Sequence, residues 1–209
     1  MARDDWYRNR SWNSDIEKTF TERLRRARDK SQYLRIQASY LAEVQPEVAL
    51  RLLDGYFQLG EHFDQAQAHV DRAQAHIALG NVGAAVASYE AALERERIYP
   101  QLQTQACLHL PFLIVMRRLH DLYSRAMEII DTSQARLMFP VDRYLAHGIR
   151  ALIHHEQGNA PEAKASAALS LAAASETQSG FRYHQNIGLV RDTDDEFGSR
   201  LEAIVQVRH

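Results

Sequence analysis

The sequence predicts an all-α protein built of consecutive helical hairpins, about ten helices in all, and three observations carry that expectation. Apolar residues recur three and four apart through most of the 209 residues, and no segment sustains the alternation of a strand. Gly, Asn and Pro fall between the periodic stretches, where helices stop and start. One spaced pattern of His, Arg, Ala, Gly and Asn recurs later in the chain. The composition, 45% apolar and 25% charged with nine Gly and five Pro, is that of a globular chain and excludes collagen-like and disordered classes.

The first helix is expected from about Asp15 behind a Ser14 cap, with Ile16, Phe20, Leu24 and Ala27 on one face. A second follows Ser31 with Leu34, Ala38 and Leu41. A third opens on Pro46 in its first turn, turns Ala49, Leu52, Leu53 and Tyr56 inward, and is stopped by Gly60. From His62 to Gly80 the chain reads HFDQAQA, HVDRAQA, HIALG, with Phe63, Ala66, Val70, Ala73 and Ile77 along one stripe. Asn81 opens the next helix, in which Ala85, Tyr89, Ala92 and Leu93 face inward to about Ile98. Small residues on both stripes allow two antiparallel helices to approach closely. Further helices are expected from Pro100 to Arg117, with Pro111 kinking or splitting it, then Asp121 to Thr132, Pro140 to Gln157, Asn159 to Ser175 and Thr193 to Gln206.

His69 to Ala87 and His147 to Ala165 align without a gap as H-x-x-R-A-x-x-H-x-x-x-G-N-x-x-x-A-x-A. The offset of 78 residues equals two units of about 39, with the intervening hairpin near Asp121 and Ala126 as the unit between. Self-similarity at a fixed period marks a solenoid, in which each hairpin buries its faces against its neighbours. The run AQAHVDRAQAHIALGNVGAAVASYEAALERERIYP resembles a tetratricopeptide repeat through Gly80 in the inter-helix turn, Ala85, the aromatic Tyr89, the pair Ala92 and Leu93, and the closing Pro100. The resemblance covers residues 31–175. It implies a right-handed superhelix with a concave face that binds a protein or peptide, and on the family's register that face includes Gln67, Val70, Asp71, Gln74, Val115, Arg118, Gly148, Ile149 and Leu152. The family usually has large apolar residues where this chain has His69, Arg72 and His76, and again His147, Arg150 and His154. The periodicity prefers Val70 and Ile77 inward, which puts the histidines at the edge of the buried stripe.

Two segments lie outside this pattern, giving a division into residues 1–30, 31–175 and 176–209. The first, DDWYRNRSWN, sets Trp6, Tyr7 and Trp12 among charges; these rings either pack back on the first hairpin or form a contact surface. The second, residues 178–192, is long for a connection and carries Arg182, Tyr183 and His184, good contact chemistry. The alternative is that Phe181, Ile187, Leu189 and Val190 seal the end of the stack before the last helix.

Chemistry is sparsely signalled. His62, His69 and His76 are seven residues apart, about 10.5 Å along a helix, whereas each zinc ligand reaches only about 2.1 Å. No HExxH, nucleophile elbow, phosphate loop or dinucleotide motif occurs. No catalytic, metal or cofactor site is expected. The lone Cys107 forbids an intrachain disulfide and reads as a small buried hydrophobe. No apolar run approaches the roughly 20 residues of a membrane span, and the charged first residues do not read as a secretory signal, so a cytoplasmic protein is expected. Residues 1–36 hold ten Lys or Arg against six acids while the chain's net charge is −2. A nucleic-acid contact through Arg23, Arg25, Arg26 and Arg28 is therefore the competing reading, although no basic motif interleaved with aromatics accompanies it. The expected function is a non-enzymatic protein- or peptide-binding adaptor, a partner-neutralising or regulatory subunit among the alternatives. The amphipathic last helix suits a cap, which favours a monomer or at most a weak homodimer.

Overall fold

The computed structural model describes residues 5–206, so Arg3 and Asp4 of the basic N-terminal run lie outside the described residues. The regular structure there is helical, without a strand: α1 (Ser14–Arg26), α2 (Lys30–Leu41), α3 (Pro46–Gln58), α4 (Gln65–Ala78), α5 (Val82–Ile98), α6 (Ala106–Met116), α7 (Tyr123–Thr132), α8 (Pro140–Glu156), α9 (Ala160–Ala174) and α10 (Glu196–Gln206), with short 3-10 turns at His120–Leu122 and Gln134–Arg136. The helices gather into two compact units, Met1–Ala106 and Cys107–His209.

In the first unit α2 packs on α3 and α4 on α5, with α3 and α2 also against α4. Asn13, not Ser14, caps α1: its backbone is extended and its side chain accepts from the Ile16 N–H at 2.9 Å. The Asp29 side chain caps α2, accepting from the Gln32 N–H. Ala68, Ala73 and Ala75 of α4 and Ala85 and Ala92 of α5 are fully buried, and their small size lets the two axes come close. α4 begins three residues later than the His62 start suggested by periodicity. Asp64 accepts from the Tyr56 hydroxyl at 2.6 Å and pairs with Arg35, which holds the preceding residues in a turn. Phe63 consequently lies outside the helix and is 77% exposed rather than inward-facing. The N-terminal aromatics pack back: Trp6 lies against Phe20 and Tyr33, Tyr7 against Tyr33, and Trp12 against Phe20. Asn9 fixes them by donating to Gln37 Oε1 from both backbone and side chain while Gln37, fully buried, donates back to the Asn9 carbonyl.

In the second unit α8 packs on α9, and α10 lies against both. Its first helix starts at Ala106, later than Pro100, because the chain is first drawn into a turn in which Glu96 accepts from the backbone and hydroxyl of Thr104 and Thr104 Oγ1 accepts from the Ala106 N–H. α6 runs on through Pro111 without being split. α10 starts at Glu196 rather than Thr193, where Asp195 Oδ1 accepts from the Gly198 N–H at 2.7 Å. Gly198 is required: a Cβ there would lie 1.9 Å from the Thr193 carbonyl oxygen.

α4, α6 and α8 end in the same turn. The left-handed residue is Gly80 (φ 74°), Arg118 (φ 52°) and Gly158 (φ 79°) respectively. Its N–H bonds to the carbonyl three residues back, and the next N–H, of Asn81, Leu119 or Asn159, returns to His76, Ile114 or His154 at 2.8, 3.0 and 2.8 Å. This is the Schellman arrangement, which satisfies last-turn carbonyls that would otherwise be orphaned.

Gly148 marks the tightest contact in the second unit. A Cβ there would stand 2.4 Å from the Phe197 ring, which is itself buried between Phe112 and Tyr144 and has nowhere to move. Overpacking of this kind costs about 1–3 kcal/mol. Gly148→Ala is expected to lower the unfolding free energy read from urea denaturation by that amount, whereas Gly83→Ala, which meets nothing within 4 Å, is expected to leave it unchanged or raised.

Candidate functional site

In the first unit the polar residues that share α4 with Val70 form an internal network. Arg35 Nε donates to Asp64 Oδ2 at 2.6 Å, Arg35 Nη1 reaches Asp71 Oδ2 at 3.4 Å, and Gln67 Nε2 donates to Asp71 Oδ1 at 2.9 Å. Asp71 is 1% exposed; burial pushes its carboxyl up against the opposing pull of Gln67 and Arg35. Burial, followed by the Asp64 carboxylate, pushes the Tyr56 hydroxyl up as well. Val70 is buried, and Gln67 and Gln74 are half-buried. Of these four, Gln67 has its amide engaged by Asp71, so Gln74 is the one whose side chain is neither buried nor held in this network.

The two His-x-x-Arg-Ala-x-x-His segments sit half-buried at the stripe edge. Arg72 lies over the Phe57 ring at 4.4 Å and pairs with Asp54, and Arg150 pairs with Asp131 at 2.6 Å, so each arginine ties its helix to the one before it. His69 lies tilted against the Phe57 ring at 4.7 Å; burial, then the charges of Arg72 and Arg95, bring it down to about 4. Burial is also the first cause that lowers His76, His109 and His147. Nδ1 of His76 and Nδ1 of His154, equivalent positions, are both buried without a hydrogen-bond partner.

The second unit holds a cleft of about 520 Å³ between the turn after α6, the C-terminal end of α8 and α10. Its centre is Glu156. Arg200 Nη2 donates to Oε1 at 2.6 Å, and His120 Nε2, at 2.9 Å, and the Tyr123 hydroxyl converge on Oε2. Burial raises this carboxyl, but the bonds from Tyr123 and His120 and the charge of Arg200 outweigh it and hold it below its ordinary value. Arg200 also donates to the Val115 carbonyl at the end of α6. Leu152 and Ile204 supply apolar wall, and Arg118 and His155 stand at the mouth. Two of the residues named from the sequence, Arg118 and Leu152, are thus brought to one cleft. Ile149 is buried, and Gly148 beside it is covered by Phe197 of α10. Sequence reasoning did not find Arg200, His120 or Glu156; the acid at the end of α8 and the arginine on α10 carry no motif.

Residues 179–188 form a bonded knuckle. Ser179 N–H donates to the Gln185 carbonyl and its hydroxyl to the His184 carbonyl, at 2.8 and 2.7 Å. Val141 N–H reaches the Gly188 carbonyl, and Phe181 stacks on Phe139 at 5.2 Å. Gly188 has φ 69°, and a Cβ there would strike the Phe139 side chain at 2.4 Å. The knuckle presents Tyr183, 82% exposed, with the Arg182 guanidinium over its ring; Arg182 and His184 are exposed beside it.

On the N-terminal side, Arg23, Arg25 and Arg26 fall in the last turn of α1, where cations favour the carbonyl end of the helix. Among the described residues no cluster of His, Cys, Asp or Glu is placed to hold a metal, and no helix is long and apolar enough to cross a membrane.

Two outcomes follow from these networks. Arg35→Met leaves Asp64 and Asp71 without their shared cation, and breaking such a pair costs about 3–5 kcal/mol, read as a lowered urea midpoint. Because folding holds His69, His76, His109 and His147 neutral, the unfolded chain takes up protons first as pH falls below 6.5. Stability present above that pH is therefore lost progressively toward pH 4, and His69→Asn is expected to flatten the fall between pH 7 and 5 in thermal melts. No family model matches the sequence, and neither a curated protein nor a solved structure matches it.

Proposed function

We propose that the protein is a non-enzymatic protein-binding module made of stacked helix pairs, and that its knuckle of residues 179–188 is a principal contact. The observation that carries this reading is the combination of exposure and fixation at Tyr183. A tyrosine presented on a bonded, glycine-pinned loop with an arginine over its ring offers a large rigid anchor whose ordering is already accomplished before a partner arrives. Arg182 and His184 supply a polar rim around it. The recurrence of one turn at Gly80, Arg118 and Gly158 supports the solenoid arrangement of the pairs, as does the residue pattern that resembles tetratricopeptide repeats.

On this reading the partner is another protein or peptide, the chain works as an adaptor or as a subunit that restrains its partner, and the compartment is the cytoplasm. A photo-crosslinking amino acid placed at Tyr183 is expected to yield a discrete protein adduct in cells. The same group at exposed Glu162 on α9 is expected to yield none. Adducts that are nucleic acid, or that vanish steeply with added salt and require Arg23, Arg25 and Arg26, would instead favour the basic end of α1 as the working surface.

A further inference from the structure

The turn after α6 departs from its two counterparts in one respect. The left-handed position that Gly80 and Gly158 occupy is filled by Arg118, the only non-glycine residue with positive φ among the described residues. A side chain there is disfavoured where glycine is not, so its presence points to a contribution that the turn itself does not need. Pairing with Glu156 does not account for it. Arg118 Nε lies 3.9 Å from Oε1, the oxygen that Arg200 already holds at 2.6 Å, and Oε2 is occupied by Tyr123 and His120. Arg118 is instead 67% exposed at the mouth of the cleft.

Among the described residues that line the cleft, two guanidiniums face one carboxylate, an excess of one arginine over the acids. Below the mouth, Leu152, Ala203 and Ile204 form an apolar wall in a cavity of about 520 Å³, a size ordinary for small-molecule sites. A ligand that suits both features carries a single negative charge on an apolar body. The planar fork of arginine matches a carboxylate, and one excess charge balances a monoanion better than a dianionic phosphate. We propose that this cleft binds a small organic monocarboxylate, its carboxylate group on Arg118 beside Arg200 and its aliphatic chain against Leu152, Ala203 and Ile204.

The test is a two-dimensional NMR titration of the full chain with sodium octanoate, 1-octanol and inorganic phosphate at equal ionic strength. Octanoate is expected to shift the amides of Arg118, His120, Ala203 and Ile204 saturably and to bind at least about tenfold more tightly than the alcohol. Phosphate is expected to leave Ala203 and Ile204 unshifted. Arg118→Gly is expected to melt no lower than the parent, because glycine suits the turn, while binding octanoate no better than octanol. Ala203→Glu, which puts a carboxylate into the wall, is expected to abolish octanoate binding. The proposal is overturned if octanol equals octanoate, if phosphate reproduces the octanoate shifts, if the shifts map outside the cleft or are absent at millimolar octanoate, or if either variant retains the carboxylate preference.

Discussion

Reversing the chain within two or three residues at the end of a helix is the constraint on which the helix pairs depend. An antiparallel partner can lie against α4 or α8 only if the last carbonyls of the first helix are satisfied without a further helical turn, and a left-handed residue at the break does this. At Gly80 and Gly158 the glycine's own N–H and that of the following asparagine fold back onto carbonyls of the helix just ended, and Asn81 and Asn159 start the next one. Only then can the alanines of α4 and α5 come together, since small side chains gain by packing only when the axes are already close. The turn is therefore prior to the packing, and the packing is prior to every surface the units present.

This order explains what could be read from the sequence. Helix existence was legible because the apolar spacing records burial directly: Phe20, Leu34, Ala38, Leu53, Tyr56, Val70, Ala85 and Tyr89 are all buried as their periodicity requires. The turns at Gly80 and Gly158 were legible because glycine is the residue the left-handed conformation prefers. The turn at Arg118 was not, since nothing in the letter Arg reports a positive φ, and the helix pair there was recognisable only by its distance from its neighbours. Helix starts were the other weak point. Asn13 in place of Ser14, and α4 and α6 beginning late, reflect hydrogen bonds made by Asn13, Asp64 and Thr104 that depend on tertiary partners or on one residue's backbone angle.

Candidate surfaces were less legible than the core, for a related reason. Helical periodicity separates inside from outside but says nothing about which outside residues meet across elements. Gly148 reads as a face residue until Phe197, some fifty positions later, is laid over it by α10. Asp71 reads as a polar contact residue until Arg35 and Gln67 close over it. Arg200 and Glu156 come together from helices separated by α9 and a long loop, and neither sits in a motif. Residues 178–192 stood out only as a segment, because their length and aromatic content set them apart from a connection that merely joins two helices.

The two charge clusters differ in sign, and the proposal of a ligand at the second rests on that difference. Around Arg35 one guanidinium serves two carboxylates, Asp64 and Asp71, and both are engaged in place: Asp71 is buried, and the amide of Gln67 and the hydroxyl of Tyr56 take up further acceptor capacity. Nothing there is left to recognise. Around Glu156 the proportion is inverted, two guanidiniums to one carboxylate, and the carboxylate is held in its charged form with both oxygens occupied. Surplus positive charge in a sealed site would be costly, and here it is not sealed: Arg118 stands in solvent on a backbone conformation that glycine would occupy with less strain. A cluster that only had to fasten α10 to the end of α6 and α8 would be complete with Arg200, Tyr123 and His120. On the proposal made above, the second arginine answers to a negative charge that no described residue lining the cleft provides.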